Sequence, residues 1–317
     1  MTFAVFVVLF TAMTLAFEGF GTPLSSCYLL ISYAHVGILA MGMTFVILSG
    51  GIDLSVGTVL AFTTVFIAKA VSVWGLSPWV AIPVALFLGA GFGGGMGFLI
   101  HQYKMPPFLV TLAGMFLARG LAFVVNIETI SLSEHPFFRA VSSWKLYLAP
   151  ASFTPRPFLK AEAIIFLVLV VFCLYLAHMR RFGRTVYAIG GSESSATLMG
   201  LKVARTKILV YAFSGFCAAL AGVAFTFLNT AGKANMGIGW ELDAIAAVVI
   251  GGTLLTGGSG YVLGTFLGVL IYGSIMTGVG DYSNLGSAGQ RISIGVLLLL
   301  FILVQGLLPG AGKTRSS

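Results

Sequence analysis

Apolar runs of 15 to 23 residues recur along almost the whole chain, separated by short polar or glycine-rich breaks. They fall at roughly 2–17, 28–48, 55–73, 78–100, 107–125, 160–178, 208–229, 242–256, 259–279 and 292–308. A helix of about 20 apolar residues crosses a hydrocarbon core about 30 Å thick. The pattern therefore predicts an all-α polytopic membrane protein of about ten transmembrane helices, some of them interrupted at Gly-Gly pairs. One transmembrane domain covers residues 1–317, with two longer polar stretches at 126–159 and 179–207.

Composition agrees with the pattern. Hydrophobic residues make up 58% of the chain and charged residues 8%, against about 25% charged in soluble domains. Mean hydropathy is +1.05. The formal charge of +8 raises nucleic acid as a partner, but the cations cluster between the apolar runs, which is the positive-inside distribution of a membrane protein surrounded by lipid. The stretch 179–207 holds Arg180, Arg181, Arg184, Lys202, Arg205 and Lys207, and the loop at 101–106 holds Lys104. Both go to the cytoplasm. The 126–159 loop, with Glu128 and Glu134 offsetting Arg139, Lys145 and Arg156, goes outside. An even number of spans then puts both termini in the cytoplasm, with Lys313 and Arg315 in agreement. The apolar start of the chain lacks a basic leader, and further spans follow it, so it reads as a first membrane helix rather than a signal peptide. Cys27, Cys173 and Cys217 show no paired spacing and read as small buried hydrophobes, with no metal or cofactor implied.

Glycine is used inside the spans. Gly89, Gly91, Gly93, Gly95 and Gly97 place small-xxx-small pairs on one helix, which lets neighbouring backbones approach closely. Two other stretches resemble each other, VILSGGIDLSVGTVLAF at 46–62 and VVIGGTLLTGGSGYVLGTF at 248–266. Each is an apolar helix, a Gly-Gly pair, a polar linker and another apolar helix, the arrangement that marks a transport path in many carriers. Gly50, Gly51, Asp53, Ser55, Gly251 and Gly252 are thereby candidates for a path or gate. Broken backbone must be buried in protein or line water, and an acid between two spans is costly enough to suggest function. Asp53 and Ser55 can equally cap the helix that follows. Glu241 and Asp243 open the eighth span; two carboxylates suit a helix N-terminus, or meet sugar hydroxyls or a partner at the outer mouth. No His and Ser constellation accompanies them, so hydrolysis is disfavoured and no catalytic residue is assigned.

The basic stretch contains a short predicted helix, roughly Glu193–Met199. Gly190-Gly191 breaks the chain, Ser192 is placed as N-cap, Glu193 suits the dipole and Gly200 follows as the C′ residue. So short a helix is unstable alone, and Ala196, Leu198 and Met199 give it an apolar surface. Either this protein's own loops hold it or a partner does. The C-terminal GAGKT at 310–314 ends like a phosphate loop, but Leu307 stands where the earlier glycine is required and no helix follows, so no ATP site is assigned. Lys69, Arg119 and Arg291 read as snorkelling cations, and His35 and His178 as packed or interfacial. No proton-relay chain of acids is present, which counts against an ion-gradient-driven secondary carrier, the alternative from another class.

GMTFVILSGGIDLSVGTVLAF (42–62), RFGRTVYAIGGSESSATLMGLKVARTK (181–207) and ELDAIAAVVIGGTLLTGGSGYVLGTFLG (241–268) together resemble the transmembrane permeases of bacterial ATP-binding-cassette sugar importers of the ribose, xylose and galactose type. The resemblance runs through essentially the whole chain. MTFVILSGGIDLSVG, the RFG-xx-VYAIGG loop and LMG are most similar to permeases of the galactofuranose-type importer; branched-chain amino-acid permeases are a more distant alternative. The resemblance implies a second permease subunit, identical or paralogous, a separate ATPase subunit, a periplasmic sugar-binding protein facing 126–159, and the bacterial inner membrane as location. It further implies that Ser192 to Gly200 is the segment that docks on the ATPase, flanked by Arg184 and Lys202. Members of that family often carry a longer leader than this chain shows.

Overall fold

Proline, serine and glycine set the helix limits in the computed structural model, which describes residues 2–150, 152–282 and 286–307. The helices are α1 (Thr2–Ala16), α2 (Pro23–Ser32), α3 (Ala34–Leu48), α4 (Val56–Ser72), α5 (Pro78–Gln102), α6 (Pro107–Val125), α7 (Pro136–Ser143), α8 (Ala161–Met179), α9 (Arg181–Gly191), α10 (Glu193–Leu198), α11 (Val203–Asn229), α12 (Trp240–Ile250), α13 (Val262–Tyr282) and α14 (Gly286–Leu307). Thr22 caps α2 by accepting from the Ser25 N–H at 3.2 Å, and Ser77 caps α5 at Trp79; each cap is followed by a proline at the first helical position.

The described residues do not confirm ten spanning helices. Among the described residues five helices are long and apolar enough to cross a bilayer, or six when α2 and α3 count as one span bent by 60°. The apolar α1 and α4 have 15 and 17 residues. The run expected at 242–256 yields only the 11 residues of α12, about 16 Å at 1.5 Å per residue, half of the hydrocarbon thickness. The basic stretch holds one more helix than expected, α9, which buries Gly183, Val186 and Ile189. The 126–159 loop is also structured. Strand β1 (Ile130–Ser131) pairs antiparallel with β4 (Ala231–Gly232), and β2 (Leu146–Tyr147) with β3 (Phe158–Leu159). Phe138 of α7 is fully buried against Phe227 of α11.

The centre of the molecule is α11, which packs on α3, α4 and α5. Its contact with α5 is made backbone to backbone. A Cβ at Gly89 would lie 2.6 Å from the Gly215 carbonyl oxygen, and one at Gly97 would lie 2.9 Å from the Ile208 Cα. Gly93 is as tightly placed against Tyr211. In lipid, where apolar burial gives little net drive, such close packing is what holds helices together. Gly91 and Gly95, on the other side of α5, have nothing near them, so only alternate members of the glycine series form the contact. Phe87, Phe116 and Phe172 project outward from α5, α6 and α8, giving these helices apolar outer faces.

Candidate functional site

Three glycine-bearing segments meet at one end of the molecule. They are the end of α3 with Gly50, the end of α9 with Gly190 and Gly191, and the turn between α12 and α13 with Gly257 and Gly258. The Gly258 N–H donates to the Leu48 carbonyl at 3.0 Å. A Cβ at Gly257 would lie 2.8 Å from the Gly50 nitrogen and 3.2 Å from the Gly190 Cα, and one at Gly258 would lie 2.7 Å from the Gly191 nitrogen. A Cβ at Gly190 would overlap the Leu48 carbonyl. The Tyr187 hydroxyl of α9 also donates to the Gly260 carbonyl at 2.8 Å. With no side chains between them, these segments can shift relative to one another only as a group.

α10 follows directly from this knot. Ser192 is its N-cap and accepts from the Ser195 N–H at 3.2 Å, while Gly200 closes it with φ of +74°, a conformation costly for any residue with a Cβ. Ala196 is buried against Ile189 and Val203, and Glu193 pairs with Lys207 at 2.6 Å. The protein's own α9 and α11 thus hold the short helix by one face. Leu198 and Met199 on the other face are 89% and 65% exposed. Arg184 lies on α9, and Lys202 immediately precedes α11.

The two Gly-Gly pairs behave differently. Both follow the end of a helix, with positive φ at Gly50 and Gly252. Beyond Gly50 the chain turns back into the protein as residues 49–55, which carry Asp53 to Ser214, the twelfth of the 27 residues of α11. Asp53 is fully buried; one oxygen accepts from the Ser55 N–H and hydroxyl at 3.0 and 2.7 Å, the other from the Ser214 hydroxyl at 2.7 Å. It therefore ties the start of α4 to α11 and faces no open space in this conformation, while Ser55, the N-cap residue of α4, makes no side-chain capping bond. Gly51 packs on the Tyr211 hydroxyl. Gly251 and Gly252 belong to a tight turn instead, against Gly264 of α13 and beside Thr2.

The counterpart of 49–55 is residues 230–239, which run in from the opposite end and deliver the N-terminus of α12 to that of α4. A Cβ at Gly57 would lie 2.5 Å from the Gly237 carbonyl oxygen and 2.6 Å from Oε2 of Glu241. That oxygen is buried and has no hydrogen-bond partner among the described residues. Arg119 of α6 donates to the Ala234 and Met236 carbonyls at 2.5 and 2.6 Å and lies within the electrostatic reach of Glu241. Asp243 accepts from the Tyr272 hydroxyl. Arg119 is thus not a snorkelling cation; it is turned inward to satisfy broken backbone. Lys69, by contrast, does reach its helix end, where it donates to Asn126 at 3.0 Å. His35 is packed between Phe225 and Trp240, with ring centroids 5.1 and 4.5 Å away. The side chain of Arg291, the GAGKT segment, Lys313 and Arg315 lie outside the described residues.

Arg119, Tyr211, Ser214, Gly257 and Gly258 were not anticipated as parts of these sites. The available signal was depth. Arg119 is the thirteenth of the 19 residues of α6 and Ser214 sits at the middle of α11, positions where a polar side chain needs a partner.

The interrupted helices are those of a polytopic membrane protein, and sequence comparison gives its class, a transport permease. Residues 26–305 match the family described as the permease component of the branched-chain amino acid transport system, and the chain belongs to that family. It is 46% identical to the inner membrane ABC transporter permease protein YjfF of Escherichia coli, over all of this chain and 94% of that protein. It is 39% identical to the fructose import permease protein FruG of Bifidobacterium longum, over 98% of this chain and 92% of that one. The ribose import permease protein RbsC of Bacillus subtilis is 37% identical over 89% of this chain and 85% of its own length. No solved structure matches.

Proposed function

We propose that this chain is the membrane-spanning permease subunit of an ATP-binding-cassette importer for a monosaccharide, driven by ATP hydrolysis on a separate subunit. The observation that carries the reading is α10, a helix clasped on one face and exposing Leu198 and Met199 on the other, joined without side-chain slack to the ends of α3 and α12. A helix of 6 residues with an apolar outer face is of little use alone and suits a groove on a partner. Arg184, Gly190, Gly191, Ser192, Glu193, Ala196, Leu198, Met199, Gly200 and Lys202 form this coupling element. Motion of α10 on the ATPase passes through Gly190 and Gly258 to the segment 49–55 and to the α12–α13 turn. Gly50, Gly51, Asp53, Ser55, Gly251, Gly252, Glu241 and Asp243 are then hinge and gate elements, which rearrange when the path opens.

The relatives named for ribose and fructose support a sugar as cargo, and the resemblance of 42–62 and 181–207 to galactofuranose-type permeases makes that furanose the first substrate to test. A second permease subunit completes the path, a periplasmic binding protein meets 126–159, and both termini face the cytoplasm of an inner-membrane protein. Thr2 bonds the Gly251 carbonyl at 3.3 Å, near the glycine knot, which accords with that orientation for the N-terminus.

Affinity capture of the tagged chain from native membranes should recover an ATPase. With Met199→Asp or Gly200→Asp the ATPase should be lost and sugar uptake abolished, while membrane insertion persists. Wild-type uptake in these variants sinks the coupling assignment. The family's description favours one further substrate class, and uptake of labelled leucine in place of any sugar would establish it.

A further inference from the structure

The residues first expected to line a path, Asp53 and Ser55, are sealed in protein. A different surface is built for a polar cargo. Between α2 and α13 lies a groove of about 390 Å³ lined by the hydroxyl residues Thr22, Ser25, Tyr28, Ser32 and Thr277 together with Leu24 and Leu29, within the size range of small-molecule sites. On α2 the spacing of 25, 28 and 32 places the three side chains on one face of the helix. Tyr28 is 49% exposed and is braced edge-on by Phe158 of the outer loop, 5.6 Å between ring centroids. The inner end of the groove lies beside Tyr33, at the bend between α2 and α3; its hydroxyl accepts from Thr277 at 3.4 Å and its ring packs on Tyr272.

Hydroxyls clustered in a concavity cannot face hydrocarbon without loss of hydrogen bonding. The outward faces of α5, α6 and α8 carry Phe, Leu and Val instead. Such a groove suits water or a polar ligand better than lipid. The charge-based orientation puts it at the outer end, since α1 starts beside the glycine knot and returns α2 from the opposite side. An exposed aromatic ring with several neutral hydroxyls and no cation is the chemistry of carbohydrate recognition, by ring stacking and by hydroxyl-to-hydroxyl hydrogen bonds. We propose that the α2–α13 groove is a weak monosaccharide subsite on the outer half of the translocation path. The proposal rests on the sugar-importer reading above and adds where the cargo is first held by this chain.

The test uses cells carrying the complete importer. Uptake of labelled D-galactofuranose, D-ribose, D-fructose, L-arabinose and D-galactose by the wild type first identifies the carried sugar; a wild type that imports none overturns the importer reading and the subsite with it. Ser25→Cys, Ser32→Cys and Thr277→Cys are then treated from outside with a membrane-impermeant thiol reagent. The native Cys27, Cys173 and Cys217 are buried. All three introduced thiols should react, the carried sugar should slow the reaction several-fold, and a sugar that is not carried should leave it unchanged. Leu15→Cys, 83% exposed on α1, should not be protected. Adding Ser25→Ala and Ser32→Ala to the Thr277→Cys reporter should raise the sugar concentration for half-protection several-fold. Unreactive thiols, absence of protection, or an unchanged half-protection concentration would each overturn the subsite while leaving the importer reading intact.

Discussion

Residues 49–55 and 230–239 both carry non-helical backbone to the middle of the protein and both end at a helix N-terminus, yet they are secured by different means. The first is held by a carboxylate and neutral hydroxyls, with Thr111 of α6 donating to the Ile52 carbonyl at 3.2 Å. Asp53 takes three hydrogen bonds from Ser55 and Ser214, and Gly51, Asp53 and Ser55 are buried. The second depends on a cation from elsewhere. The Ala234 and Met236 carbonyls rest on Arg119 of α6, and Ile238 is 71% exposed. Both segments lean on α6, the first by one neutral hydroxyl and the second by a cation that satisfies two carbonyls, so the first is the firmer joint and the second the latch more sensitive to movement of α6. In a transporter that alternates between two openings, the latch is where a change of state costs least.

The comparison is broken most severely where the two segments touch. Gly57→Val would force a side chain between the Gly237 carbonyl and the Glu241 carboxyl, and the expected result is loss of the monodisperse peak in size-exclusion chromatography of the detergent-solubilised protein. A wild-type elution profile would mean that the two helix ends are farther apart than described. Next in size is Arg119→Met, which keeps the volume and removes both bonds to the latch. Hydrogen bonds between membrane helices are worth about 0.6 to 1.7 kcal/mol each, so a loss of about 1 to 3 kcal/mol and a lower thermal midpoint are expected. If uptake survives Arg119→Met while stability falls, the latch is structural only.

Much of this architecture was legible from the chain and part of it was not, for identifiable reasons. The limits of α10 follow from local chemistry alone, because a serine N-cap and a glycine in the left-handed region act within one turn. The segment α6 is bounded by Pro107 and by the end of its apolar run, and the expected span coincides with it. The span at 242–256 failed because hydropathy measures apolarity and not conformation. Residues 230–239 and 251–261 are as buried as a helix would be in places, but run as turns. The meeting of Gly50, Gly190 and Gly257 is a long-range fact, invisible to any local pattern. The same holds for Arg119, whose partners are backbone carbonyls that leave no trace in side-chain composition.

The smallest effect tests the firmer joint. Ser214→Ala removes the one bond that Asp53 receives from outside its own segment and leaves the two from Ser55 in place. The cost should be about 0.6 to 1.7 kcal/mol, a single interhelical bond, read as a thermal-midpoint shift no more than half that of Arg119→Met. Asp53→Asn should fall in the same range, because the amide oxygen can still accept from the Ser55 N–H. A Ser214→Ala shift as large as that of Arg119→Met would mean that the joint depends on α11 as heavily as the latch depends on α6. The division between a hydroxyl-held break and a cation-held one would then disappear, and segment 49–55 would have to be counted as a second latch.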